Sequence, residues 1–246
     1  MFKGQIEVRK LKNWMKAIRA LVDEFRLQIN NKLGWQVLAI NDAHTAMMEV
    51  FLKKEAFKEY KMRGNLTVAV DYEYLEHALK DASGIAEIEI TKEKLVTTAN
   101  NTRFEIRLLH PDVIRKATLP SKLSFKAKAV LYTEDLRNGM RAADRVSQWR
   151  DVTFSVEDGK FFVKAVSESE VMEMVLGENE LVKLEGENCR SSFSIDYLMP
   201  MIKAINTNTV EISLGTDEPI KIAFANDDME VMYLLAPRVS EDWDGV

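Results

Sequence analysis

Apolar residues recur at helical spacing in four stretches of the chain, and at alternate positions in most of what lies between them. Leu11, Met15, Ile18 and Val22 fall at i, i+4, i+7 and i+11, one stripe of an amphipathic helix. Leu75, Leu79 and Ala82 repeat the pattern, as do Leu136, Met140 and Ala143, and again Leu198, Ile202 and Ile205. The four helices begin near Leu11, Tyr74, Leu136 and Tyr197, at intervals of 63, 62 and 61 residues. Between them FRLQI, WQVLAI, IAEIEI, DVTFSV, KFFVKAV and TVEISL read as strands. FRLQI pairs with WQVLAI as a hairpin, and DVTFSV with KFFVKAV as another, the second turning on Asp158-Gly159.

The elements also repeat in sequence. LKNWMKA, Leu11 to Ala17, returns 125 residues later as LRNGMRA, Leu136 to Ala142. Gly34 maps onto Gly159 at the same offset, and Tyr74-Leu75 with Leu79-Lys80 answers Tyr197-Leu198 with Ile202-Lys203. A constant interval of this kind marks an internal duplication. The chain reads as an α+β protein of two similar copies, each itself double. HPDVIRKATLPSKL, residues 110–123, holds Pro111 and Pro120, lacks a clean period and reads as the connector.

Composition narrows the function. The 246 residues are 46% apolar, enough for one large or two ordinary domains. The longest apolar runs fall far short of a membrane span, and MFKGQIEVRK has no export signal core. Cys189 is the single cysteine, so no internal disulfide framework is expected. A soluble intracellular protein is the expectation. The net charge of −5 gives no general attraction for nucleic acid, so the placement of the positive charges decides. Lys12, Lys16 and Arg19 share one helix face, as do Arg137, Arg141 and Arg145; Lys80 and Lys203 point outward from the other two helices, Lys80 beside His77. A single basic row is ordinarily a solvated face. Here the row recurs at equivalent positions. In the first helix, moreover, Lys10 and Lys12 stand at the N-terminal end and Asp23 and Glu24 near the C-terminal end. That order opposes the dipole at about 0.3–1 kcal/mol per charge. Side by side, such helices would offer a positive face suited to phosphates rather than to base edges. The third helix is better arranged, with Thr133 as its expected N-cap and Glu134 and Asp135 in its first turn.

Catalytic signals are missing from the sequence. His44, His77 and His110 are scattered, no metal-ligand spacing occurs, and no P-loop, GxGxxG or GxSxG is present. The acidic pairs Glu157-Asp158 and Asp227-Asp228 read as turn residues. No cofactor, metal or catalytic residue is expected. The competing reading is a metal-dependent hydrolase built from surface carboxylates.

YLLAPRVSED, Tyr233 to Asp242, resembles the C-terminal segment of the archaeal and eukaryotic sliding clamps, the proliferating cell nuclear antigen family. NDAHTAMMEV, Asn41 to Val50, is similar to the family's histidine-bearing loop and strand, and FSIDYLMPMIKA adds to the match, which extends over essentially the whole chain. The archaeal members look nearest. The resemblance implies four β-α-β-β-β units in two domains, 1–109 and 124–246, joined by the connector 110–123. Three chains would close head to tail, helices lining the hole and sheets outside, around duplex DNA contacted without regard to sequence. The ring would act as a processivity factor for DNA polymerase. Clamp loader, nuclease and ligase would also dock, through short peptides. The protein would be cytoplasmic and chromosome-associated, or nuclear in a eukaryote, and a mixed ring with sister chains is the alternative assembly.

Residue by residue, the resemblance makes Lys12, Lys16, Arg19, Lys80, Arg137, Arg141, Arg145 and Lys203 the DNA-facing candidates. It makes Ile40, His44, Met47, Ile114, Leu119, Pro219, Leu234, Ala236 and Pro237 the partner-peptide pocket. The subunit interface would pair a strand at Arg103–Leu109, carrying Arg103 and Arg107, with one at Glu170–Leu176, carrying Glu170 and Glu173 with Glu168 beside it. Two features depart from the family. Pro200 falls near the first turn of the fourth helix, where a local distortion is expected, and the connector is unusually basic at Arg115, Lys116 and Lys122.

Overall fold

The computed structural model describes residues 1–238; Val239 to Asp242 of the YLLAPRVSED ending, and the remainder of the chain, lie outside the described residues. The chain divides into two compact units. The first comprises Met1–Leu119 with Ala225–Val231, and the second comprises Pro120–Phe224 with the described residues from Met232 to Arg238.

The first unit runs β1 (Phe2–Glu7), α1 (Val8–Arg19), β2 (Glu24–Asn30), β3 (Gly34–Ile40), β4 (Ala46–Lys53), β5 (Phe57–Met62), β6 (Asn65–Asp71), α2 (Tyr72–Leu79), β7 (Ile85–Ile90), β8 (Lys94–Ala99) and β9 (Thr102–Arg107). The second runs β10 (Ala127–Tyr132), α3 (Thr133–Val146), β11 (Asp151–Glu157), β12 (Lys160–Val166), β13 (Val171–Leu176), β14 (Leu181–Gly186), β15 (Cys189–Ser194), α4 (Ile195–Ala204), β16 (Thr209–Leu214), β17 (Ile220–Ala225) and β18 (Met229–Leu235). Both follow one strand order. The first unit holds β5-β1-β7-β8-β9 and β4-β3-β2-β6; the second holds β14-β10-β16-β17-β18 and β13-β12-β11-β15. Adding nine to every strand of the first unit gives the second, so the repeat heard in the sequence is a repeat of topology. Each helix follows its strand directly and leads into three strands of another sheet. That makes four β-α-β-β-β units, with β5 and β14 as additional edge strands.

Side-chain alternation accounts for the sheets. β4 is buried at every second residue, as is β2, and their inward side chains meet the apolar stripe of α1. Phe2 packs edge to face with Trp35 and with Phe57 in the first unit, at centroid distances of 5.2 and 5.7 Å. Phe154, Phe161 and Phe193 do so in the second. Both expected hairpins form, β2 with β3 and β11 with β12. Their glycines serve different ends. Asp158 and Gly159 both take left-handed backbone, φ 48° and 73°, as a tight hairpin turn requires. Gly34 starts β3 at φ 128°, where a Cβ would lie 2.2 Å from the Leu52 carbonyl, so no side chain fits.

Several expectations change. The helices start two or three residues before the expected positions near Leu11, Tyr74, Leu136 and Tyr197, and Val22, Ala82 and Ile205 fall past the ends of α1, α2 and α4. Thr133 is not an N-cap: it is the first residue of α3, 2% exposed, and its buried hydroxyl has no hydrogen-bond partner among the described residues. Because α4 starts at Ile195, Pro200 is its sixth residue, beyond the first turn. The helix continues through it, forgoing the N–H that would bond to the Asp196 carbonyl. Finally, Ala225–Val231 clusters with the first unit. The Lys53 amide donates to the Asp228 carbonyl at 2.9 Å, and Lys10 pairs with Asp228 at 2.6 Å.

Candidate functional site

In the first unit, α1 buries Val8, Leu11, Trp14, Met15, Ala17 and Ile18 and leaves Lys12, Lys16 and Arg19 exposed. The three do not share one environment. The Lys12 ammonium donates to the Lys80 carbonyl at 3.0 Å and the Ala82 carbonyl at 3.1 Å, at the C-terminal end of α2. Arg19 pairs with Asp23 and lies 5.3 Å above the Tyr72 ring. Burial, then the Glu76 carboxylate that accepts its hydroxyl at 3.1 Å, pushes the Tyr72 phenol up to about 12 against the opposing pull of Arg19. Lys16 and Lys80 are exposed with no ion-pair partner among the described residues. The outer face of α2 also carries Glu73 and Glu76, so its positive character rests on Lys80.

In the second unit, Leu136, Met140 and Ala143 are buried under α3. Arg137 is half-buried and donates to the Ile205 carbonyl just beyond α4, with Glu134 3.6 Å from its guanidinium. Arg141 bonds to Asn138 at 2.9 Å and Glu134 at 3.2 Å. Arg145 and Lys203 are exposed and have no ion-pair partner among the described residues. A cluster unseen in the sequence closes the end of α3. Arg150, at φ 58°, pairs with Asp144 and Asp196, both at 2.6 Å, and the two carboxylates, Asp196 foremost, raise its guanidinium pKa.

β9 and β13 are edge strands: among the described residues each has a strand neighbour on one side only. β9 ends at Arg107, and Leu109 instead bridges to Ala69. Glu105 receives Lys94 and Arg103, each at 3.0 Å, and these bonds hold its carboxyl below the usual range. Arg107 is exposed with no ion-pair partner among the described residues. On the other edge strand, β13, Val171, Glu173 and Val175 form the exposed row, with Val171 65% accessible. Glu170 precedes the strand, its amide donating to the Ser167 hydroxyl at 3.0 Å in a turn.

The pocket candidates are distributed over both units. In the first, Ile40 and Met47 face each other across β3 and β4 and are half-buried. The loop between them is built on buried Asn41, whose side-chain carbonyl accepts the Thr45 and Ala46 amides, both at 3.0 Å. His44, at φ 56°, is exposed at its tip and hydrogen-bonds to the Arg115 guanidinium. Ile114 is half-buried and Leu119 exposed. Arg26 of β2 donates to the Pro111 carbonyl at 2.5 Å and approaches Asp112 at 3.7 Å, anchoring the start of the connector. In the second unit Pro219, Ala236 and Pro237 are half-buried and Leu234 is 4% exposed. Among the described residues no His, Cys, Asp and Glu side chains form a group able to hold a metal, and no helix is long and apolar enough to cross a membrane.

A twice-repeated α+β architecture with basic helix faces and charged open edges defines a clamp-type fold. The structure superposes on that of A. fulgidus PCNA, solved with the C-terminal region of FEN-1 bound, with a TM-score of 0.91 at 27% identity, over 98% of this chain and 100% of that one. Residues 1–112 match the model of the proliferating cell nuclear antigen N-terminal domain. The DNA polymerase sliding clamp of Methanosarcina barkeri is 33% identical over 253 residues, and that of Methanococcoides burtonii 32% over 248; each alignment spans 98% of this chain and 100% of the relative. The chain belongs to the DNA polymerase sliding clamp family.

Proposed function

We propose that three copies of the chain close into a ring around duplex DNA and tether polymerase and other replication or repair enzymes to it. One observation carries this reading. In the first unit, Met229–Val231 at the start of β18 runs beside β4. By the strand correspondence, β9 is the counterpart of β18 and β13 the counterpart of β4, and these two are open edges. Pairing β9 of one chain with β13 of the next therefore repeats a pairing already made within the chain, and open edges of this kind favour such closure. Arg103 and Arg107 on one edge and Glu173, with Glu170 and Glu168 beside it, on the other supply opposite charge. Phe104, Val171 and Val175 supply exposed apolar surface.

The DNA-facing set is Lys16, Lys80, Arg145 and Lys203, which have no ion-pair partner among the described residues, with Arg19 and Arg141 sharing their charges with neighbouring acids. Such contacts are salt-sensitive and blind to sequence, so retention comes from enclosure. The A. fulgidus relative carries the C-terminal region of FEN-1. By extension, partner peptides contact Ile40, His44, Met47, Ile114 and Leu119 on the first unit and Pro219, Leu234, Ala236 and Pro237 on the second. The functional domains are 1–109 and 124–246 with 110–123 as connector, and the protein works without catalysis of its own, as a chromosome-associated factor.

Sedimentation of the purified chain over a dilution series at two salt levels, followed by retention on nicked circular and linearised DNA, tests the proposal. A mass near three chains with retention on circles alone is the expected result. A persistent monomer that is retained only when sister chains are added would favour the mixed ring. Metal-dependent cleavage of the DNA would instead favour a hydrolase.

A further inference from the structure

The basic rows contain two residues that do different work from their neighbours. Lys12 donates to the Lys80 and Ala82 carbonyls, and Arg137 donates to the Ile205 carbonyl. Lys12 and Arg137 are equivalent by the 125-residue repeat, and their acceptors Lys80 and Ile205 hold the same place in the fold, as the C-caps of α2 and α4. The same strut thus joins α1 to α2 in one unit and α3 to α4 in the other. The last carbonyls of a helix lack intrahelical donors and carry the negative end of the dipole, so a cation placed there satisfies both. Two of the three Lys12 ammonium protons are committed to main-chain oxygens, and the Arg137 side chain is only 29% exposed. A lysine stands at each fastened helix end: Lys80 caps α2, and Lys203 lies in the last turn of α4.

We infer that Lys12 and Arg137 are positioning residues, which fix the ends of α2 and α4 and so hold Lys80 and Lys203 in place to meet phosphate, rather than phosphate ligands themselves. The inference rests on the DNA-encircling reading for its function but not for its geometry. Arginine satisfies this requirement in the second unit as lysine does in the first, because either can donate to a carbonyl across the helix pair.

The test is a double-variant cycle on the assembled full-length protein with Lys12→Met, Lys80→Met and both together. Affinity for a short fluorescent duplex is read by anisotropy at several salt concentrations. A positioning role predicts that Lys12→Met weakens binding, that Lys12→Arg restores it, and that the double variant binds no more weakly than Lys80→Met alone. The salt slope then falls once rather than twice. Additive losses with two decrements of slope would overturn the inference, as would a Lys12→Met protein that binds like the parent while Lys80→Met does not. Arg137→Met with Lys203→Met gives the same cycle in the second unit. Amide exchange without DNA separates the two ideas: Lys12→Met should speed exchange in the last turn of α2. Faster exchange in a protein that never binds DNA would sink the DNA reading and leave the strut standing, whereas unchanged exchange would sink the strut.

Discussion

Gly139 of α3 and Met174 of β13 occupy one volume: a Cβ on the glycine would lie 2.5 Å from the Met174 sulfur and 2.8 Å from its methyl carbon. The repeat places Trp14 at the matching position of α1. There the indole fills the space from the helix side, fully buried and edge-on to Phe25 at 5.7 Å and to Trp35 at 5.5 Å. LKNWMKA and LRNGMRA thus differ at the residue that decides which element supplies the packing. In the second unit it is supplied by the strand whose open edge is proposed to pair with a neighbouring chain.

Gly139→Ala should therefore be close to neutral. The helix gains about 1 kcal/mol of propensity, offset by a shift of the flexible end of Met174. Gly139→Trp should cost about 1–3 kcal/mol by overpacking, and Met174→Ala in the same chain should recover most of it. Denaturant unfolding of the three variants measures this. A Gly139→Trp protein as stable as the parent would show that the volume is not shared.

Thr133 offers a sharper test, because its expected and observed roles predict opposite signs. As an N-cap, Thr133→Val would cost about 0.5–2 kcal/mol. As a buried hydroxyl with no partner among the described residues, it should yield a variant that is unchanged or more stable by about 1 kcal/mol. Thermal unfolding decides between them, and a clear loss of stability would restore the cap.

Glu211 of β16 links three strands in the second unit, receiving Lys128 of β10 at 2.6 Å and Lys221 of β17 at 3.1 Å. Partial burial pushes its carboxyl pKa up, but the two lysines outweigh this and leave it lowered. With the folded value below the unfolded one, its contribution is complete above the unfolded carboxylate range. That contribution is lost as pH falls through the lowered folded value. Glu211→Gln should cost about 1 kcal/mol at neutral pH. The parent and variant stability curves should then converge on acidification, and parallel curves across the whole range would refute the linkage.

Periodicity made much of this fold legible. Period-two strands, the Asp158-Gly159 turn and four amphipathic stripes lead directly to β11, β12 and the helices. Helix starts were less legible because α1, α3 and α4 follow their strands without a side-chain cap among the described residues, whereas Asp71, at the end of β6, caps α2 by accepting the Glu73 amide at 2.8 Å. The basic rows could be read from spacing, but not which members are already engaged. Lys12 reaches residues 68 and 70 positions away, Arg26 reaches Pro111 at 85, and Arg150 reaches Asp196 at 46. Contacts at such separations leave no local pattern, since the fold alone brings the partners together. The edge strands show the same limit. Arg103 and Arg107 look alike in sequence, yet Glu105 lies within reach of only one of them.

That asymmetry directs the interface test to Arg107. Arg103 already donates to Glu105 at 3.0 Å, so replacing it would disturb a pairing within the strand as well as any contact across chains. Arg107 is exposed at the end of β9, opposite Lys94 in the sheet register. If β9 meets the acidic edge of β13 in a neighbouring chain, Arg107→Glu replaces attraction by repulsion without removing buried surface from the monomer. The variant should melt like the parent at high dilution and dissociate at concentrations where the parent remains assembled. A shift of about tenfold in the dissociation constant corresponds to about 1.4 kcal/mol. Glu173→Arg should weaken assembly likewise, and the two reversals combined should recover part of the loss, since the opposite charges are then exchanged rather than removed. Light scattering across a dilution series reads all four proteins. Equal masses for parent and Arg107→Glu at every concentration would move the interface away from this edge.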